Sequence, residues 1–316
     1  MKVVVTGGAG FIGANLCRTL TLTDGVDEVV ALDDLSTGFA SNLEGTAVTE
    51  FVEGSILDEA LLDRVCAGAA AIVHLAARPS VPRSIDDPMA SHVTNVTGTA
   101  NVLEAARNAG GAHVVLASSS SVYGANPTLP KHEDLTPSPV SPYAANKLAA
   151  EAYAIAWARS FGLPVLPFRF FNVFGPLQAA NHAYAAVVPS FVAAALAGEP
   201  LPVHGDGTQS RDFTYVGSVT QIITKAVLGA VTYDGPVNLA FGGNASLLEV
   251  IAQLEALLGH SLERNHGPVR KGDVPHSQAD ASRLHELFPD EAPRPLEEGL
   301  RRTVEWFRDP AGWATS

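Results

Sequence analysis

The sequence predicts a doubly wound parallel α/β sheet, and three observations predict it. Apolar β-branched runs alternate with helical patterns from the N-terminus to about residue 175. The first run, Lys2–Thr6, ends in Gly7-Gly8-Ala9-Gly10-Phe11-Ile12-Gly13 and leads into a helical stretch. The second run ends at Asp33, twenty residues after Gly13. Strand, glycine turn, helix, strand and acidic residue, in that order, form a dinucleotide cradle.

In the turn, Gly7, Gly10 and Gly13 are spaced G-x-x-G-x-x-G. Glycines let the backbone approach a pyrophosphate closely, and the helix patterned over 14–22 offers it free N–H groups and a positive dipole end. Asp33 accepts from both hydroxyls of an adenosine ribose and repels a 2′-phosphate, so NAD rather than NADP is the expected cofactor. A strand over 48–53 is followed by Gly54-Ser55-Ile56-Leu57-Asp58, and a strand over 69–74 opens into Leu75-Ala76-Ala77, where small side chains let a flat ring lie on the strand end. His74 reads as a packed strand residue, because no second His, Cys or carboxylate sits at metal spacing, and no metal site is expected.

The patterns over 88–109 and 143–161 are long, alanine-rich helices with more small apolar surface than one sheet covers. Burial within one chain accounts for that surface, as does a four-helix interface in a homodimer. Strands over 112–117 and 164–170 continue the alternation, which breaks beyond Asn172-Val173-Phe174-Gly175-Pro176 at Pro189, Pro200, Pro202 and Gly205-Asp206-Gly207. The expected organisation is an NAD-binding domain over 1–175, to which 212–240 returns, and a smaller, mainly substrate-binding α/β lobe over 176–316. In that lobe Arg211-Asp212 and Arg270-Lys271-Gly272-Asp273 suit a diphosphate and a ribose, although either pair alone also fits ordinary surface charge.

With 47% hydrophobic residues in 316, the chain has ample core, and no apolar run approaches a membrane span. The N-terminus runs straight into a strand without a signal-peptide layout, so a cytoplasmic location is expected. Cys17 and Cys66 fall in buried helical patterns and read as small core residues. A net charge of -13 argues against nucleic acid as a partner and requires local cations for any anionic small molecule.

The chemistry is expected between Ser118 and Lys147. Ser118-Ser119-Ser120-Ser121 precedes Val122-Tyr123-Gly124, and Tyr143-Ala144-Ala145-Asn146-Lys147 opens a helix. Tyr143 and Lys147, four apart, share a helix face, which places an ammonium near a phenol and favours the phenolate as a general base. Ser119 is a candidate to hydrogen-bond the same hydroxyl. Alone, a Tyr and a Lys at this spacing more often mark an amphipathic surface. The preceding motifs change that reading.

Thr6-Gly7-Gly8-Ala9-Gly10-Phe11-Ile12-Gly13, Asp33, Ser119, Tyr143-x-x-x-Lys147 and Arg211-Asp212-Phe213 together resemble the extended short-chain dehydrogenase/reductase family, specifically its nucleotide-sugar 4-epimerases, nearly end to end. The resemblance implies a Rossmann-type NAD domain in which Gly7, Gly10 and Gly13, with Phe11 and Ile12 between them, line the pyrophosphate. It also implies that Asp33 holds the adenosine ribose, Asp58 and Ile56 flank the adenine, and Ala76 and Asn95 touch NAD. Lys147 would hold the nicotinamide ribose and lower the pKa of Tyr143, the acid/base acting with Ser119. For the substrate it implies Asn172, diphosphate-binding Arg211 and Arg270, and Asp273 on the uridine ribose, with Arg83, Val188 and Ser277 around the sugar. The implied reaction removes hydride from C4, forms a 4-keto sugar and returns the hydride to the opposite face.

Relatives that dehydrate the sugar carry an Asp-Glu pair after the catalytic residue, where this chain has Ser120-Ser121, and decarboxylases carry a glutamate where Ser121 stands. Uronic acids need a cation that 177–190 lacks, His182 apart. Ser277, four after Asp273, replaces a frequent tyrosine and leaves room for a 2-acetamido group, and the segments 181–189 and 80–84 resemble epimerases of N-acetylated hexosamines. The expected reaction interconverts UDP-N-acetylglucosamine and UDP-N-acetylgalactosamine, with UDP-glucose and UDP-galactose as a second pair. The alternatives are UDP-glucuronic acid or another nucleotide sugar, a net oxidoreductase, or a protein that binds NAD without turnover.

Overall fold

Seven strands form the expected doubly wound parallel sheet in a computed structural model that describes residues 1–180, 185–269 and 276–315. They include β1 (Lys2–Thr6), β2 (Glu28–Asp33), β3 (Glu50–Glu53), β4 (Ala71–His74), β5 (His113–Ser119) and β6 (Val165–Phe170). The order across the sheet is Val237–Leu239, β6, β5, β4, β1, β2, β3. Val4 of β1 lies opposite Val30 of β2 on one side and Ile72 of β4 on the other, and all three are essentially inaccessible. Burial on both faces is why these strands read as unbroken apolar runs. Between them come α1 (Phe11–Thr21), α2 (Glu59–Cys66), α3 (Val81–Asp86), α4 (Pro88–His92), α5 (Gly98–Asn108) and α6 (Pro142–Phe161).

The long helix expected over 88–109 is interrupted. A π-helical turn, Val93–Thr97, separates α4 from α5. Apolar periodicity alone does not reveal one extra residue in a turn. α6, by contrast, is continuous: Ser141 caps it through the Ala144 N–H, Pro142 opens its first turn, and Gly162 ends it with φ 69°.

The chain divides into two compact units. Met1–Pro127, Glu133–Phe170 and Thr220–Leu239 make the first and contain the large sheet. Thr128–His132, Phe171–Val219 and Ala240–Ser316 make the second. In the second, Ser210–Arg211 pairs with both Ala245–Ser246 and His276–Ser277, and Leu201–His204 pairs with Arg264–Gly267. Asp212 ties this unit together: its Oδ2 accepts from Gly242 N at 2.9 Å and Ala279 N at 3.4 Å.

α6 is fixed to the sheet by a buried ion pair. Glu151 and Arg169 are 4% and 3% exposed, low enough for an unpaired charge there to be costly. Arg169 Nη2 and Nε donate to Glu151 Oε1 and Oε2 at 2.6 and 2.9 Å, and Ser118 Oγ donates to Oε2 at 2.8 Å. The guanidinium also lies over the Tyr123 ring, 4.7 Å from its centroid, while Tyr123 donates to Asn238 Oδ1 at 2.7 Å. Burial disfavours the Arg169 charge, but Glu151 and Tyr123 together more than offset it and the pKa rises. Glu151→Gln keeps the shape and removes the charge; we expect a loss of about 3 kcal/mol in urea unfolding. An unchanged midpoint would show that the pair does not hold α6.

Candidate active site

The first unit carries a cradle whose dimensions are set by the absence of side chains. Gly7 adopts φ +73°, and a Cβ there would lie 2.6 Å from Ala76 N. A Cβ on Gly13 would lie 2.0 Å from Gly7 O. Both positions therefore need glycine, and the turn is closed backbone to backbone. Gly10 is the N-cap of α1 with no side-chain capping bond, and no acidic residue occupies the first turn. The opening N–H groups of Phe11, Ile12 and Gly13 thus remain available to an anion, helped by the helix dipole. At the end of β2, Asp33 is 7% exposed and its carboxylate takes Ala9 N at 3.0 Å and Leu35 N at 2.8 Å. Burial first, then neighbouring Asp34, raises its pKa against those bonds and one from the Gly10 backbone. Glycine cradle, open helix end and fixed carboxylate fit the diphosphate and ribose of NAD.

Other expected cofactor residues have prior commitments. Ile56 is 5% exposed and its side chain packs into the core, where a Cβ on Gly98 would meet its Cδ1 at 2.4 Å. The Ile56 side chain is therefore held in place by core packing. Asp58 is exposed and caps α2, accepting from Leu61 N at 3.0 Å. Asn95, in the π-turn, accepts from Arg78 N at 2.7 Å and donates to Arg78 O at 3.1 Å, so it clamps the loop after β4 in which Ala76 lies.

Ser119, Tyr143 and Lys147 come together beside the ends of β5 and α6. Ser119 closes β5; its Oγ accepts from Ser121 N at 3.2 Å and from Ser121 Oγ at 2.9 Å, and the same side chain is hydrogen-bonded to Tyr143. Tyr143 N donates to Ser84 Oγ at 3.0 Å, which anchors the start of α6 on α3, the helix that bears Arg83. Lys147 is 7% exposed and its Nζ donates to Ala117 O at 2.8 Å. Burial brings the ammonium down to about 8. The expected depression of the Tyr143 pKa by Lys147 is not found: burial raises the phenol above its ordinary value, and the Ser119 hydrogen bond recovers part of the rise. Desolvation sets the direction because the phenol is withdrawn from water.

In the second unit, Asn172, Val188, Arg211, His204, Phe213 and Leu247 border a cavity of about 210 Å³. Asn172 has φ 33°, a conformation Asn tolerates better than most residues, and its Nδ2 donates to Asp212 O at 3.3 Å. Arg211 and Ser277 are register partners on adjacent strands. Val188 is buried in the first turn of Val187–Ala197. Arg270, Asp273 and His182 lie outside the described residues. Burial lifts Asp212 to about 6 in spite of its backbone donors. Among the described residues no group of three or more His, Cys, Asp or Glu could hold a metal ion, and no helix is long and apolar enough to cross a membrane.

Glu151 and Arg169 escaped sequence reasoning, although the signal is visible: Glu151 is one turn beyond Lys147 on the face of Tyr143, and Arg169 interrupts an apolar strand. An arginine inside a buried run needs a carboxylate. The Asn95 clamp has no such signal, since its partner is backbone.

Residues 3–238 match the family described as the NAD dependent epimerase/dehydratase family. The chain is 39% identical to a UDP-glucose 4-epimerase of Mycolicibacterium smegmatis, over 98% of this chain and 99% of the relative. It superimposes with a TM-score of 0.92, at 35% identity and 98% coverage of each chain, on a UDP-N-acetylglucosamine 4-epimerase from Methanobrevibacter ruminantium in complex with UDP-N-acetylmuramic acid. A UDP-glucuronic acid 4-epimerase from Bacillus cereus, in complex with UDP-glucuronic acid and NAD, gives 0.86 at 30% identity, covering 98% of this chain and all of that one. With the glycine cradle after β1, the buried acid that ends β2 and the Ser-Tyr-Lys cluster on β5 and α6, the chain belongs to the NAD dependent epimerase/dehydratase family, and its cofactor is NAD.

Proposed function

We propose that the protein is a UDP-sugar 4-epimerase whose preferred substrate pair is UDP-N-acetylglucosamine and UDP-N-acetylgalactosamine. The observation that carries the chemistry is the hydrogen-bonded Ser119 and Tyr143 pair with Lys147 one helical turn away. NAD, when bound, supplies a hydride acceptor whose cationic ring also favours the phenolate. Tyr143 takes the proton of the sugar 4-hydroxyl as hydride leaves C4, and gives it back after the 4-keto sugar has turned. Ser119 holds the same hydroxyl in place. An ammonium with a pKa of about 8 is about nine-tenths protonated at pH 7, so Lys147 offsets the negative charge on Tyr143. Ser120-Ser121, in place of an acidic pair, disfavours loss of water from the sugar.

Substrate choice rests on the second unit. Arg211 suits the diphosphate and Asn172 the sugar, with Val188 as an apolar wall; Arg270 and Asp273 keep the roles that the resemblance implies. Ser277 beside Arg211 presents a small side chain where an acetamido group needs space. A neutral sugar is favoured over a uronic acid by the absence of Lys and Arg from 177–190. The UDP-glucuronate reading is kept because a relative of that name is 34% identical over 97% of this chain. We further propose a homodimer through 88–109 and 143–161, since Ile85 and Met89, next to the start of this region and within it, are 63% and 66% exposed and Tyr153 of α6 is 40% exposed.

Incubating the protein with UDP-N-acetylglucosamine, UDP-glucose and UDP-glucuronic acid in turn, without added cofactor, and resolving products by proton NMR tests the proposal. We expect conversion of the acetylated sugar first; exclusive conversion of the uronic acid would refute the substrate assignment. Tyr143→Phe should lose about 10²-fold or more in turnover with NAD still bound. Ser277→Tyr should lower turnover of the acetylated sugar more than that of UDP-glucose, and equal losses would remove Ser277 from the argument. By light scattering the protein should show twice the chain mass and Met89→Glu the single mass; a monomeric native protein would refute the dimer.

A further inference from the structure

We infer that His74 is a positioning residue, the centre of a one-directional hydrogen-bond relay that holds the loop 75–78 against the glycine turn. The inference rests on the reading of that turn, Ala76 and Asn95 as the cofactor end of the site. His74 ends β4 and is 3% exposed. Its Nδ1 lies 2.7 Å from Thr6 Oγ1 and its Nε2 3.0 Å from Thr99 Oγ1.

The polarity of these contacts is fixed by counting hydrogens. Thr99 has one hydroxyl hydrogen and donates it to Asn95 O at 2.7 Å, so towards His74 its oxygen accepts. Nε2 therefore carries the proton. A neutral imidazole has only one, so Nδ1 accepts from Thr6, and the Thr6 oxygen accepts in turn from Ala76 N at 3.4 Å. Asn95 closes the circuit through its two bonds to the backbone of Arg78. Gly7, next to Thr6, packs against Ala76 closely enough to exclude a Cβ. One ring of hydrogen bonds thus joins the end of β1, the end of β4, the π-turn and α5.

A protonated imidazole would reverse the Thr6 bond: Nδ1–H would donate, the Thr6 oxygen would accept from it as well as from Ala76 N, and the Thr6 hydroxyl hydrogen would lose its acceptor. The ring is kept neutral by burial first and by the Lys147 ammonium second, which bring it down to about 3. Its strand neighbours, Thr6 on β1 and Leu116 on β5, carry no charge. His74 touches none of the reacting atoms in this arrangement; it acts through the loop.

Three readouts test this. Nitrogen NMR of the histidine rings, with the His74 signals assigned by their loss in His74→Phe, should show an Nε2–H tautomer that does not titrate between pH 8 and 5. Thr99→Val, which keeps the branched shape without the hydroxyl, should speed amide hydrogen exchange at 75–78 by about tenfold and weaken NAD retention on gel filtration by a similar factor. Thr99→Ser should restore both. An Nδ1–H tautomer, or a ring titrating near its ordinary value, would overturn the relay. So would unchanged exchange in both Thr99→Val and His74→Phe, or equal NAD loss in the Val and Ser variants, which would point to packing. If the native protein shows the tautomer and slow exchange but binds no NAD, the cofactor reading fails instead, recognisably, with the circuit intact.

Discussion

The register of α6 depends on a charge that has no access to water. Tyr143, Lys147 and Glu151 follow one another at four-residue steps along a single face, so whatever fixes the third fixes the first two. Glu151 meets Arg169 and Ser118 at once, and Ser118 is the chain neighbour of Ser119. The same carboxylate therefore sets where the helix stands and where the end of β5 points. A buried ion pair gives little net stability over an apolar substitute, but it tolerates only one geometry. That single geometry also sets Tyr143 within hydrogen-bond reach of Ser119.

Burial also decides the electrostatics of the cluster. Tyr143 and Lys147 stand one turn apart on α6, yet the phenol is raised rather than lowered. Withdrawal from water penalises Tyr143 as an anion and Lys147 as a cation together, so each group waits for the other charge and for what binds beside them. Lys147 keeps most of its proton at neutral pH in spite of this. Tyr143 itself therefore carries no standing negative charge.

Much of this architecture was legible in the residues. β1, β2, β4 and β5 are continuous apolar runs because both faces are covered, and such runs cannot be mistaken for amphipathic edges. Gly7 and Gly13 stood out because a turn that admits no Cβ leaves only one residue type to choose. What stayed hidden depends on partners distant in sequence. The packing of Ile56 depends on Gly98, more than forty residues on, which opens the hole its side chain fills. Asn95 serves a backbone, and backbone leaves no trace in composition. The role of Asp58 was local and readable: an acid three residues before Leu61, at the start of a helix, is an N-cap.

The π-turn at Val93–Thr97 does more than present Asn95. One extra residue in a helix re-phases everything beyond it by about 100°. Before the turn Met89 of α4 looks outward; after it Val102, Leu103 and Ala106 of α5 are fully enclosed against the sheet. A single run of sequence thereby carries two stripes on different sides, and a reading that assumes one period averages them into a helix that is apolar all round. The insertion is a phase shifter: it lets one segment serve an exterior face and an interior one without a break in the chain.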